Sequence, residues 1–363
     1  MGSGRSGAVR SRNRPAAGLP ALLLTFLPWT LLGGGAGCLS VAPPPPTQLC
    51  PGPVLELTAA TSSNPIYVYD AVGEVVDARG VDWVGQRAAG VQLEGSQPGC
   101  FQGGGITGTW DPAATWETFH LTAALSVRNE SQPTRVHSIH PRNYGDGVSI
   151  EPYVPCPNSS LKPWLYVRAN HFEDIHDDAI EADGLCAVEI ADNLIERTFV
   201  AFGFRNRSSD PDRTGGANTV TVDGNLVRMH AFPQNYNGQT THGAIWKWAH
   251  EKRGPRIAVR NNRFLAFDAP VLGGLFPYVN RVTSCQNNVL LFAGTEAEWA
   301  QALAGGCDDE GDDGLCEGER LLALSGCYAV ITKPDTQSEA EFLATHWDPH
   351  VAGWKATHSA DEE

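Results

Sequence analysis

The chain has 363 residues, is 42% hydrophobic and 18% charged, and carries 39 glycines, 25 prolines and 2 methionines. That apolar content excludes global disorder, and the Gly and Pro content favours turns over long helices. A formal net charge of −15 argues against a nucleic-acid partner, which needs a basic face, while a local basic cleft for an anionic glycan stays compatible with it.

In chain order, the first element is a targeting segment over residues 1–37. Arg5, Arg10, Arg12 and Arg14 precede the apolar run LPALLLTFLPWTLL, and the small residues GGGAG lead to Cys38. This pattern predicts a secretory signal. The run Leu19 to Leu32 is too short for a transmembrane helix, and no later stretch of that length is apolar enough. Gly35-Ala36-Gly37-Cys38 resembles the lipobox of bacterial lipoproteins, which implies lipidation of Cys38 and a cell-envelope, outer-membrane location. Cleavage nearby and free secretion is the alternative. PPPP at 43–46 gives the segment 38–54 the character of a stiff tether. Beyond Cys38 an even set of eight cysteines remains, which in an exported chain predicts disulfides. Cys307–Cys316 is the expected pair. No CxxC or HExxH spacing points to zinc.

A repeat organises residues 55–293. An apolar residue, two variable residues, Asn, one variable residue and an apolar residue recur as VRANHF (167–172), IADNLI (190–195), VDGNLV (222–227), VRNNRF (259–264) and CQNNVL (285–290). The asparagines are Asn170, Asn193, Asn225, Asn262 and Asn288, and a second short apolar stretch follows the first four units. Helical periodicity is missing there, so each unit holds short strands separated by turns, the pattern of a solenoid. Leucine-rich repeats need more leucines, and a propeller needs longer blades. VVDARGV (75–81), VQLEGS (91–96), GITGTW (105–110) and LSVRNES (125–131) read as earlier coils. The period and the turn asparagine resemble the right-handed parallel β-helix of the pectin-lyase-like superfamily. That resemblance implies an all-β fold with an Asn column hydrogen-bonded from coil to coil. The tail, 294–363, holds two helical patterns around the acidic segment CDDEGDDGLCEGE and reads as a short helical C-terminal cap. The second pattern breaks at Pro349. The acidic segment lacks EF-hand spacing and reads as a solvated loop.

The segment FEDIHDDAIEAD (172–183) carries six acidic residues and a histidine. Aligned with VHSIHPRNYGDGVSIEP (136–152), it stacks Val136 on Phe172, Ile139 on Ile175, His140 on His176, Ile150 on Ile180 and Glu151 on Glu181. Pro-Arg-Asn-Tyr-Gly then becomes an inserted loop. Apolar residues point inward and charges outward, with Asp146, Asp177 and Asp178 on adjoining turns. Stacked like charges cost stability and raise a carboxyl pKa or recruit a cation, so His140, Glu151, His176, Asp177, Asp178 and Glu181 are the candidate catalytic residues.

Three functions compete for this face. Asp177-Asp178 resembles the Asp-Asp pair of polygalacturonases, and Thr241-His242-Gly243 partly resembles their Gly-His-Gly, although their Arg-x-Lys does not occur. That implies acid–base hydrolysis of a glycosidic bond. Alternatively Asp177, Asp178 and Glu181 hold Ca²⁺ for a polysaccharide lyase, with a base among Arg205, Lys247 and Arg260. The third reading is a non-enzymatic adhesion or structural envelope protein. Trp246 and Trp248 alternate with Lys247 in IWKW, and this side, with Arg205, is the candidate sugar-binding surface. Filling the core is the other role open to that Trp pair. The expectation is an exported, monomeric solenoid that engages polysaccharide, without nucleic acid or a transmembrane helix.

Overall fold

The computed structural model describes residues 54–57, 66–70, 75–94, 99–128, 134–151, 165–183, 187–205, 219–233, 240–248, 255–270, 274–305 and 313–358, all within one compact unit, Gln48–Glu363. The expected signal segment, Cys38, the tether up to residue 53 and Cys307 lie outside these residues, and so does the Cys307–Cys316 pairing.

The architecture is a parallel β-solenoid. A nine-stranded sheet takes one strand from each coil, from Val54–Glu56 to Val282–Gln286, in chain order. A 14-stranded sheet takes the rest, ending on Tyr328–Thr332. The strand pairs among the described residues are parallel, and each strand pairs with the equivalent strand one coil away (Leu165–Arg168 with Val188–Ala191, His171–Asp183 with Leu194–Arg205). In mid-molecule the second sheet has two limbs. His140–Tyr144 pairs with the front half of His171–Asp183, and Asp146–Glu151 pairs with its back half. A register shift between Ile175 and Asp178 marks the bend between limbs.

One corner of each coil explains the repeat. The residue before each asparagine has a left-handed backbone, with φ of 55° at Ala169 and Asp192, 68° at Gly224, 58° at Asn261 and 57° at Asn287. This turns the chain from one sheet to the other and points the next side chain inward. Asn170, Asn193, Asn225, Asn262 and Asn288 are each at most 1% exposed. The amide of each donates to the next, Asn170 Nδ2 to Asn193 Oδ1 at 2.9 Å, Asn193 to Asn225 at 2.8 Å, Asn225 to Asn262 at 2.9 Å and Asn262 to Asn288 at 2.9 Å. The expected column is therefore present. It satisfies corner backbone groups that sheet pairing cannot reach. It ends on the disulfide Cys285–Cys327, where Asn288 Nδ2 lies 3.4 Å from Cys327 Sγ.

The core is the inward stack of the coils. Phe172, Ile195, Val227, Phe264 and Leu290 line one limb, and Ile180, Phe202 and Trp246 line the other, all essentially buried. Phe172, Ile175 and Ile180 point inward as expected. The expected stacking of side chains from coil to coil is corrected. Val136 pairs with Val167, Ile150 with Ala182 and Ser149 with Glu181. His140 pairs with Gly105, and its ring lies 4.1 Å from that of His171, not over His176. The supposed Pro-Arg-Asn-Tyr-Gly loop is itself strand, His140–Tyr144. The two coils run almost without a gap, and matching their Ile-His pairs opened one that the backbone does not contain.

Helix α1 (Trp116–Phe119) leans on the bend of His171–Asp183. At the C-terminal end, α2 (Glu296–Ala304) and α3 (Glu317–Ala323) pack Trp299, Leu303, Leu321 and Leu324 onto the core. Glu317 and Asp313 of the acidic segment are buried and hold Arg320 at 2.7 and 3.0 Å, so at Asp313 the segment is not the solvated loop expected. Helices α4 (Glu339–His346) and α5 (Asp348–His358) lie on the outer flank of the second sheet. Phe342 and Trp347 bury against Leu265 and Leu291. Farther back, Trp354 Nε1 donates to the Asp192 carbonyl at 3.0 Å and Lys355 pairs with Glu196 at 2.8 Å. Pro349 falls in the first turn of α5, where its missing N–H is harmless. Among the described residues no helix is long and apolar enough to cross a membrane.

Candidate functional site

The bend between the two limbs gathers the charge. The Asp177 amide donates to the Gly145 carbonyl at 2.8 Å, and the Asp178 amide to Asp146 Oδ1 at 3.2 Å. This brings ligand oxygens of Asp146, Asp177 and Asp178 within 4.8 Å of one another, on three buried side chains. The expectation that these carboxylates face out is corrected, because the bend turns them under the sheet surface. Beside them runs the column Ser149, Glu181, Gly203, Lys247, one residue per coil. Glu181 is half-buried and accepts from Ser149 Oγ at 3.1 Å.

Lys247 crosses this column. Its Nζ lies 2.7 Å from Asp178 Oδ2 and 3.3 Å from Asp177 Oδ1. Gly203 leaves room for that reach. A Cβ there would sit 2.8 Å from the Asp178 carboxyl carbon, so any larger residue displaces the pair. The Asp178 side chain is 1% exposed, Asp177 9% and Lys247 27%. Asp177 and Lys247, with half-buried Glu181, therefore reach solvent, and Asp178 and Asp146 stand behind them.

Burial pushes the Asp146 carboxyl well above the usual carboxylate range, and the charges of Glu181, Asp177 and Asp178 push it further. Asp177 is raised by burial and drawn partly back by Lys247 and by a hydrogen bond from the Trp116 side chain. Burial disfavours the Lys247 ammonium, but Asp178 and Asp177 more than offset this and hold its pKa well above that of a free lysine. A carboxyl with a raised folded pKa binds its proton more tightly folded than unfolded. Its contribution to stability therefore falls as pH rises from about 4 through the folded pKa. Asp146→Asn keeps the Oδ1 acceptor for Asp178 and carries no charge. It is expected to raise the melting temperature at pH 8, to change it little at pH 4, and to flatten the slope between. A melting series across that range reads it, and equal effects at both ends would contradict a strained carboxyl.

The other candidates separate. His176 is sandwiched, 3.7 Å from the Phe119 ring and 4.2 Å from the Phe232 ring, with Nε2 3.0 Å from Asn143 Oδ1. Burial pushes its pKa down to about 4, so it is a neutral packing residue apart from the carboxylates. His140 belongs to a different seam. It stacks on His171 and faces Glu173 at 3.4 Å, while His171 meets Glu196 at 2.7 Å. Glu173 is held down to about 2 by its hydrogen bond to His140 and by the Arg197 charge, against burial. Trp246 is 1% exposed in the core, which corrects its place on a sugar-binding surface, while Trp248 is half-buried and stacked 5.1 Å from Tyr278. Glu151 and Arg205 end their strands, paired with Arg128 and Asp183, and their side chains lie outside the described residues. Sequence reasoning missed the reach of Lys247 and the cleared position at Gly203. A glycine breaking the Ser-Glu-Gly-Lys column was the available signal.

Three carboxylates this close offer the hard oxygens that Ca²⁺ takes, but Lys247 already supplies the compensating positive charge from within the chain. Compared with protein-family models, curated proteins and solved structures, the chain matches none.

Proposed function

We propose that the chain is an exported right-handed parallel β-helix protein of the pectin-lyase-like kind that binds polysaccharide across Asp177, Glu181 and Lys247 and cleaves it as a glycoside hydrolase. Right-handedness follows from the strong rule for crossovers between parallel strands. The observation that carries the reading is a buried Asp177 with a raised pKa at the solvent edge of the cluster, half-buried Glu181 in the neighbouring column and a lysine-fixed carboxylate behind them. A carboxyl that keeps its proton donates it to the glycosidic oxygen, and the Glu181 carboxylate acts on the anomeric carbon directly or through water. Lys247 and Asp178 position Asp177. The Cys285–Cys327 disulfide supports the exported part of the reading.

A second reading is favoured by the closeness of Asp146, Asp177 and Asp178, which suits a Ca²⁺-dependent lyase. One assay separates the two. The purified protein meets acidic and neutral polysaccharides with Ca²⁺ or EDTA, and reducing ends and ultraviolet absorbance are followed together. Reducing ends without absorbance, abolished in Asp177→Asn, are expected. Absorbance that EDTA removes would assign the lyase. Silence in both channels from folded protein would reject catalysis and leave an adhesion or structural role.

A further inference from the structure

Lys247 stands on a short support. Its strand, Trp246–Trp248, has three residues and among the described residues pairs with one neighbour, Leu194–Arg205. Along its other edge runs the loop 274–279. The Trp246 amide donates to the Gly274 carbonyl at 2.9 Å, and a Cβ on Gly274 would overlap the Trp246 carbonyl oxygen. Tyr278 stacks on Trp248, with the rings 5.1 Å apart and 25° from parallel. The loop therefore takes the place that the next strand would hold.

Helix α3 of the C-terminal cap holds the loop in turn. Glu317, 0% exposed, accepts from the Gly274 amide at 2.7 Å through Oε1 and from the Phe276 amide at 2.9 Å through Oε2. Asp313, ahead of the helix, accepts from the Val279 amide at 2.9 Å. Arg320 joins the two carboxylates and lies 4.7 Å over the Tyr278 ring. A carboxylate is costly to take out of water and persists there where its oxygens are bonded. Capping the start of α3 does not account for Glu317, because Glu319 makes that bond, accepting from the Cys316 amide at 2.9 Å. Both Glu317 oxygens are instead aimed at the amides of the loop.

The route ends at the charged cluster. Trp246 and Trp248 pack on the core, which leaves Lys247 as the outward side chain of its strand, with Nζ against Asp178 and Asp177. An element with few contacts of its own opens locally at low cost, whereas a polar constellation works when its groups are held to within about 0.5 Å. Strand Trp246–Trp248 needs its second edge fixed to meet that demand.

We propose that Glu317 is a positioning residue for the candidate site: through the loop 274–279 and the Trp248–Tyr278–Arg320 stack it fixes strand Trp246–Trp248 and so holds Lys247 against Asp177 and Asp178. The inference rests on the reading of Asp177, Glu181 and Lys247 as the site. It gives the cap a second task besides closing the end of the solenoid.

Acylation of lysine amines by acetic anhydride on the full chain, resolved residue by residue by mass spectrometry, tests it. An ammonium held between carboxylates is a poor nucleophile, so in the wild type Lys247 is expected to label far more slowly than Lys355, which is 48% exposed on α5. Glu317→Gln keeps the shape of the side chain but sets an NH2 group against one of the donors it now accepts from. Lys247 is then expected to label at least about tenfold faster, the change that a fall of about one in its pKa produces, with Lys355 unchanged. Tyr278→Leu leaves the Glu317 bonds in place and is expected to move Lys247 in the same direction by a smaller factor. Phe342→Leu is the control. It weakens α4 against Leu265 and Leu291, away from the loop, and is expected to leave Lys247 labelling unchanged. Unchanged Lys247 labelling in folded Glu317→Gln, or an equal rise in Phe342→Leu, would overturn the proposal. If Glu317→Gln fails to fold, an unchanged rate in Tyr278→Leu overturns it as well. Labelling reads Lys247 directly, so a folded protein that is silent on polysaccharide rejects the hydrolase and leaves this inference standing.

Discussion

Asn225→Leu is expected to destabilise the protein by about 2–9 kcal/mol, from two or three buried polar groups left unpaired at about 1–3 kcal/mol each. Asn225 Oδ1 accepts from the Asn193 amide at 3.0 Å and from Asn193 Nδ2 at 2.8 Å. Its own Nδ2 donates to the Ile190 carbonyl at 3.0 Å and to Asn262 Oδ1 at 2.9 Å. Leucine has nearly the same volume, so the cavity term is small and the loss reads the hydrogen bonds. Asn225→Asp is not expected to rescue. Aspartate keeps the acceptor but faces the Ile190 carbonyl and Asn262 Oδ1 with a second oxygen, and it buries a charge. Chemical denaturation of both variants checks this, and a loss below about 1 kcal/mol for the leucine variant would reject the ladder as a main support. The position in the stack also matters. A solenoid is held by nearest-neighbour contacts, so Asn225→Leu in mid-column is expected to broaden the transition. Asn170→Leu at the column's first rung should fray the preceding coils alone.

The same column explains why so much of the architecture could be read from the chain. The corner needs a left-handed residue followed by a buried carboxamide, and few residue types satisfy both demands, so the letters repeat where the backbone repeats. Apolar alternation did the same for Phe172, Ile175 and Ile180. The site was harder for three physical reasons. First, the bend between Ile175 and Asp178 shifts the pairing by one residue, and alternation cannot report a shift that breaks alternation. Second, polarity normally signals solvent, and the bend buries Asp146, Asp177 and Asp178 where a straight strand would expose some of them. Third, the partner of Asp178 is 69 residues away, on a strand whose sequence, WKW, looks like a sugar-binding stripe because of its aromatics. In the fold its lysine is the residue that reaches the carboxylates. The same limit hid the Cys285–Cys327 link and the return of α5 to Glu196, since both depend on how many coils intervene.

Lys247→Met is expected to be the most damaging change at the site, with a loss of about 3–5 kcal/mol near pH 8, the usual result of removing one partner from a buried ion pair. Methionine preserves the stem and most of the volume, so packing is nearly held constant. What disappears is the charge that faces Asp178 at 2.7 Å and Asp177 at 3.3 Å. The remaining carboxylates then have no counter-charge under the sheet. Protonating them is the relief open to the fold, so the deficit is greatest above their folded pKa values and shrinks as pH falls toward 4. An exposed ion pair would lose its smaller contribution in the same direction, so the size of the deficit at pH 8 is what marks a buried pair. Asp178→Asn combined with Lys247→Met should be more stable at pH 8 than Lys247→Met alone, because the orphaned charge goes with the lysine. A double-mutant cycle at pH 8 and pH 5 measures this coupling. Simple additivity at both values would show that the lysine and the aspartate do not act as a pair. If they do, activity and stability should part company in the double variant: the fold recovers, while Asp177 loses the fixed pair that positions it and any hydrolysis stays low.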